Sequence, residues 1–335
     1  MAMSYLLDDP SPKVRQALAE ALSSSENAPR PIVIALAEDQ AEIACMVILS
    51  SPVLTEADLV DLIGRGSSLT RSIVAARADL SPGACAALSE IGGACEVAIM
   101  LESGSAQMTP FSIRRVCDRF KGDEEIRNLL LERYDLPADV RHSLVLQVGE
   151  ALVSAGIITH ALSLARAREI IQDASDAATT QIAGNVSGQD VRLLVEHLRQ
   201  QSKLTAAFLL QLLCTGKLDF FAGAIANLSG LEERRVRSIL ATGRHHAVRA
   251  LFQSSGLSGR MLDVFIEATH LWRQASEMPY GGAVQQVATR LLEKFARAEA
   301  DTTLSEMLGM VEKLQIVDQR QRARSFAQDM IAEAA

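Results

Sequence analysis

Aromatic residues are scarce in this chain: they make up 4% of 335 residues, with nine phenylalanines, three tyrosines and a single tryptophan, Trp272. Strands draw on aromatic and β-branched side chains, so this scarcity, set against abundant Ala and Leu, suits closely packed helices more than sheets. It also withholds the stacking platforms on which single-stranded nucleic acid is held. Cysteine is limited to Cys45, Cys85, Cys95, Cys117 and Cys214, an odd number set among apolar residues. That usage reads as reduced core thiols in a cytoplasmic protein, not as a disulfide framework. No uninterrupted apolar stretch reaches the roughly 18 residues of a membrane span. The opening MAMSYLLDDPSPKVRQ has neither the basic start nor the apolar core of a signal peptide. The six histidines form no H-E-x-x-H motif and accompany no C-x-x-C, so neither a metal nor another cofactor is expected. Gly64-Arg65-Gly66 and Gly256-Leu257-Ser258-Gly259 read as turns, because no Walker lysine follows the first and no strand precedes the second. His142 sits early on an amphipathic run without the acidic neighbour of a phosphoacceptor, and is expected to be a surface histidine. No catalytic residue emerges, and the expectation is a non-enzymatic protein.

Self-similarity is what the chain does have. Between Leu204 and Leu257 two lines nearly superimpose, TAAFLLQLLCTGKLDFFAGAIANLSGL and EERRVRSILATGRHHAVRALFQSSGL. Leu213 falls on Leu240, Gly216 on Gly243, Phe221 on Val248 and Ala224 on Leu251, all at one constant offset. That offset, about 27 residues, lies in the range of repeat architectures. A unit of that length holds two short helices and two turns, with the glycine at a turn between them. In the first half Leu54, Leu80, Met108 and Leu136 recur with nearly the same period. A Ser, Thr or Pro follows each, supplying a helix cap or first turn. The expected fold is all-α, an α-solenoid of short HEAT-like helix pairs with a repeat of about 26–28 residues. Residues 1–137 form the first array and 201–258 the second. Residues 138–200 break the rhythm with longer amphipathic runs, one predicted as a helix from about His160 to Ala183. Residues 259–335 read as three helices that cap the array or pair with a second copy to make a homodimer.

The opening DDPSPKVRQALAEAL, the unit LTEADLVDLIGRGSSLTRSIVAAR and the unit LCTGKLDFFAGAIANLSGL resemble an alphaproteobacterial family of HEAT-like repeat proteins, a domain of unknown function. The resemblance covers most of the chain. It implies an all-helical solenoid in a bacterial cytoplasm and transfers no catalytic residue.

Charge is unevenly spread. Residues 1–155 carry 13 basic and 22 acidic side chains, a net −9, whereas residues 203–260 carry eight basic against three acidic, a net +5. Arg234, Arg235, Arg237, Arg244, His245, His246 and Arg249 crowd two short helices around Thr242-Gly243. Such a group can hold phosphate or carboxylate, because Arg presents a fork of donors to either. The blander alternative is a solvated face paired with Glu232 and Glu233. The leading functional expectation is an interaction or scaffold protein that binds a protein or peptide on a solenoid surface, in bacterial signalling or cell-cycle control. On that reading, reversing Arg244 and Arg249 to Glu abolishes partner capture without unfolding the chain. The alternative is a small-anion or nucleotide sensor built on residues 234–249. A nucleic-acid binder or DNA-repair-type enzyme comes third, since the chain is acidic overall, with a pI of about 5.4, and has one tryptophan.

Overall fold

A computed structural model describes residues 2–155, 163–276 and 283–295, with isolated positions 309, 311, 312 and 316. Among these residues there are 19 helices and no strand. The chain is an all-α solenoid, its helices packing against neighbours in sequence order. Two compact units divide it, Met1–Thr159 and His160–Ala335.

The first unit holds α1 (Ala2–Leu7), α2 (Pro12–Leu22), α3 (Arg30–Ala37), α4 (Ala41–Ser50), α5 (Glu56–Arg65), α6 (Ser68–Ala75), α7 (Pro82–Ile91), α8 (Ala94–Glu102), α9 (Pro110–Arg119), α10 (Glu124–Glu132) and α11 (Ala138–Ser154). Most helices pack on the one two places along: α5 on α7, α7 on α9 and α9 on α11 in one layer, α2 on α4, α4 on α6, α6 on α8 and α8 on α10 in the other. This is the stacking that buries a continuous core when no single helix pair can bury its own apolar face.

The periodic residues define the turns. Leu54, Leu80, Met108 and Leu136 are all buried, each immediately ahead of a helix cap. Thr55, Ser81 and Thr109 accept hydrogen bonds from the backbone N–H groups of Asp58, Ala84 and Ser112, and Thr55 with Asp58 completes a reciprocal capping box. Pro82 and Pro110 then occupy the first helical position, where a missing N–H costs nothing.

Polar links bind each repeat to the next. Arg15 reaches Asp39 at 2.6 Å, Arg30 reaches Asp58 at 2.8 Å and Arg114 reaches Asp139 at 2.5 Å. Other arginines bind the carbonyl ends of helices in the preceding repeat. Arg77 donates to the carbonyls of Ile48 (2.5 Å) and Ser51 (2.8 Å), and Arg119 to those of Ser89 (2.7 Å) and Gly92 (2.9 Å). Helix C-termini leave carbonyls without partners and carry partial negative charge, so a guanidinium satisfies both needs at once.

Two expectations are corrected here. His142 is buried rather than on the surface, because α11 packs on both α9 and α10 and that face has no solvent left. Cys95 is exposed at the start of α8 instead of lying in the core, and Cys45 is half-buried.

The second unit holds α12 (Leu164–Asn185), α13 (Gln189–Gln200), α14 (Ala206–Cys214), α15 (Leu218–Ser229), α16 (Glu233–Thr242), α17 (His245–Ser254), α18 (Gly259–Ser276) and α19 (Ala283–Phe295). The helix predicted from His160 to Ala183 is observed as α12, capped by Ser163 and continuing through Asn185; its expected first residues, 160–162, lie outside the described set. Helix α16 begins one repeat after α14, at Glu233 against Ala206, and α17 follows α15 by the same offset, at His245 against Leu218, which bears out the repeat register. Of the three C-terminal helices expected, α18 and α19 are described, and most of the third lies outside the described residues. The scarce aromatics gather in this unit: Phe208 meets Phe220 edge-on, while Phe221, Phe252 and Phe265 form a buried triangle with centroids 5.6–6.2 Å apart. Such pairs add to the area they bury.

Candidate interaction surface

The basic cluster lies on α16 and α17, and both helices owe their placement to the repeat. Val236 on α16, and Val248, Leu251 and Phe252 on α17, are buried and fix which way each helix faces. The remaining positions turn outward, so Arg234, Arg235, Arg237, Arg244, His245 and His246 are exposed and Arg249 is half-buried. Gly243 ends α16, Arg244 is the cap residue of α17, and the His245 and His246 rings meet edge-on at 5.7 Å.

The cluster separates into two groups. Arg237 is engaged: Nη1 donates to Asp219 at 2.5 Å, and Nε and Nη2 donate to Glu233 at 2.9 and 2.7 Å. Hydrogen bonds to Asp219 and then Glu233 raise its pKa further above the ordinary arginine value. Arg249 lies 3.5 Å from Asp263. By contrast, Arg234, Arg235 and Arg244 have no carboxylate partner among the described residues. Three exposed guanidiniums therefore remain available to a ligand.

Beside Arg237 opens a cavity of about 420 Å³ between α14, α15, α16 and α18. Its apolar lining comes from Leu213, Leu218, Phe221, Ala222, Leu240 and Ala241. Leu213, Phe221 and Ala222 are buried, while Leu218 and Ala241 are exposed. The polar atoms on its wall are held by internal bonds. The Trp272 indole N–H donates to the Leu213 carbonyl, and the Thr269 hydroxyl donates to that of Phe265 at 2.8 Å. Arg273 donates to the carbonyls of Leu240, Gly243 and Ile239 at 2.7–2.8 Å, closing the end of α16 as Arg77 and Arg119 close helices in the first unit. Burial lowers the Arg273 pKa from the ordinary value. A cavity of this size is within the roughly 300–1,000 Å³ of small-ligand sites, and its walls ask a ligand for apolar surface more than for hydrogen bonds.

Sequence reasoning found the arginines and missed the cavity. Asp219, Trp272 and Arg273 had no signal pointing to one another, because α15 and α18 lie in different repeats and nothing local links them. A trace did exist for Arg273, which follows Gly243 at nearly the spacing at which Arg119 follows Gly92. Among the described residues, no three His, Cys, Asp or Glu side chains gather in a group able to hold a metal ion. No helix among them is long and apolar enough to cross a membrane.

No curated protein and no solved structure matches the chain. A family model described as an uncharacterised protein conserved in bacteria (DUF2336) matches residues 43–305, which takes in most of both units. The chain belongs to that bacterial family.

Proposed function

We propose that this is a non-enzymatic interaction protein that uses the α16–α17 face of its second unit to hold an acidic segment of a partner protein, with bacterial signalling or cell-cycle control as the setting and the cytoplasm as the compartment. The observation that carries the reading is the set of three exposed arginines, Arg234, Arg235 and Arg244, without carboxylate partners among the described residues of an otherwise acidic chain. Guanidiniums left in water are poor stabilisers of the fold itself, since even paired surface charges contribute about 0–1 kcal/mol. They suit recognition, where forked donors meet carboxylates and long-range attraction speeds encounter.

The small-anion sensor is the second reading, and the separation of the cluster weakens it. Arg237 is already neutralised by two carboxylates, and the free guanidiniums are exposed instead of converging in a buried pocket. Affinity capture from a bacterial lysate at low ionic strength, with partners identified by mass spectrometry, tests the proposal. The full chain should recover a defined partner set that Arg235→Glu with Arg244→Glu loses, while circular dichroism stays unchanged. Recovery of the same partners by the double variant would show these arginines to be a solvated face.

A further inference from the structure

The cavity beside the arginines has a shape and chemistry of its own. Its polar wall groups, the Trp272 indole N–H, the Thr269 hydroxyl and the Arg273 guanidinium, are bonded to backbone carbonyls within the unit. An anion inside would have to pull a guanidinium from these bonds or from Asp219 and Glu233, whereas an apolar group displaces only water. Its open apolar surface comes from exposed Leu218 and Ala241 and half-buried Leu240 and Trp272, with Phe221 fully buried behind them, and the Trp272 indole can take an incoming aromatic ring edge-on or offset. At the mouth, Arg237 is one helical turn from Arg234, so a chain leaving the cavity along α16 passes from apolar wall to unpartnered cation.

We propose that the cavity between α14, α15, α16 and α18 is an anchor site for one aromatic side chain of a peptide whose flanking residues are acidic. This rests on the reading of the α16–α17 face as the docking surface for an acidic partner, and it adds what that partner must contain. The aromatic ring sets the register by filling a defined hole, and the flanking carboxylates meet Arg234, one turn from Arg237 on the cavity side of α16, and Arg244 at the start of α17. Buried aromatic anchors surrounded by weaker polar contacts are how compact interfaces concentrate their affinity.

Trp272 lines the cavity and is the only tryptophan, so its emission reports on occupancy without labelling. The probe is a capped heptapeptide of 4-bromophenylalanine between two runs of three glutamates, whose bromine quenches an indole on contact. Titrated into the full chain, it should quench Trp272 saturably. The same peptide with alanine at the centre should fail to compete. Ala241→Phe, which fills the cavity from an exposed position, should weaken the probe at least tenfold with unchanged circular dichroism. Capped 4-bromophenylalanine amide, carrying no charge, should also quench saturably at higher concentration and lose that saturation in Ala241→Phe. This last titration separates the two ideas, because it probes the anchor whether or not acidic segments dock. Quenching that rises linearly with the uncharged probe, or is the same in Ala241→Phe, overturns the anchor site and leaves the docking surface standing. Saturable quenching by the heptapeptide that is indifferent to Arg234→Glu with Arg244→Glu overturns the acidic flanks.

Discussion

Any residue placed at position 216 must adopt a φ of 76°, because the chain leaving α14 turns back through the left-handed region before α15 begins. A β-branched side chain is poorly tolerated there, and Gly216→Val is expected to destabilise the second unit by about 1–2 kcal/mol, read as a lower urea midpoint. Gly216→Asn should recover about half of that loss, since Asn visits this region more readily. Gly243, its repeat equivalent, has an ordinary backbone at φ −61° and ψ 141°. The sequence expectation of a glycine turn is met with a left-handed backbone at Gly216, while backbone strain is not the reason for glycine at 243. A Cβ there would press on the Ile239 carbonyl, so Gly243→Val should still destabilise, through crowding. Cysteine divides along similar local lines. Burial pushes the Cys85 and Cys117 thiols up to about 11 and Cys214 up to about 12, so at mildly alkaline pH they stay protonated as well as shielded. Titration with a thiol-reactive disulfide reagent should therefore modify Cys95 first, with the three buried thiols reacting only after denaturant is added. Rapid native reaction at Cys214 would contradict the packing around α14.

At the scale of elements, the same device closes three helices: Arg77 on α4, Arg119 on α7 and Arg273 on α16. Arg119→Leu leaves two carbonyls without a donor and should cost about 2 kcal/mol. Arg119→Lys should restore only part of this, because an ammonium cannot span both carbonyls as a fork does. Glu96 is a second element-level link, buried on α8 with Ser68 Oγ at 2.7 Å and Arg71 Nε at 3.7 Å. Burial pushes its carboxyl up, but the Ser68 hydrogen bond, backbone N–H groups and Arg71 together hold it below the ordinary value of 4.5. A depressed carboxyl contributes stability that is present above about pH 4.5 and is lost as pH falls through the folded-state value. Glu96→Gln should thus lower stability by about 1–2 kcal/mol at neutral pH, with the gap to the unaltered protein closing under acid. A pH-independent gap in urea midpoints would show that the charge does not matter. Much of this level was legible in the sequence. Leu54, Leu80, Met108 and Leu136 announced their turns because each combines a buried side chain with a capping residue next to it, a local pattern. Arg77, Arg119 and Arg273 did not, because their partners are main-chain carbonyls, which leave no mark in composition. The cavity stayed hidden for a related reason: it exists only where four helices meet, and none of them is unusual alone.

At the scale of the molecule, stacking short helix pairs gives each unit an ordered surface, and the sequence divides charge unequally between them. Residues 1–155 are net −9 and 203–260 net +5, and that second stretch supplies both the free arginines and three walls of the apolar cavity. On the function proposed above, this region holds acidic peptide through exposed guanidiniums. Calorimetric titration of the full chain with a capped heptapeptide of phenylalanine between two runs of three glutamates, at low and at high salt, tests it most directly. The screening length falls from about 10 Å at about 0.1 M NaCl to about 3 Å at about 1 M. Affinity should be at least tenfold weaker at high salt, and in Arg235→Glu with Arg244→Glu binding should be weak and barely change with salt. Affinity indifferent to both salt and charge reversal would contradict it.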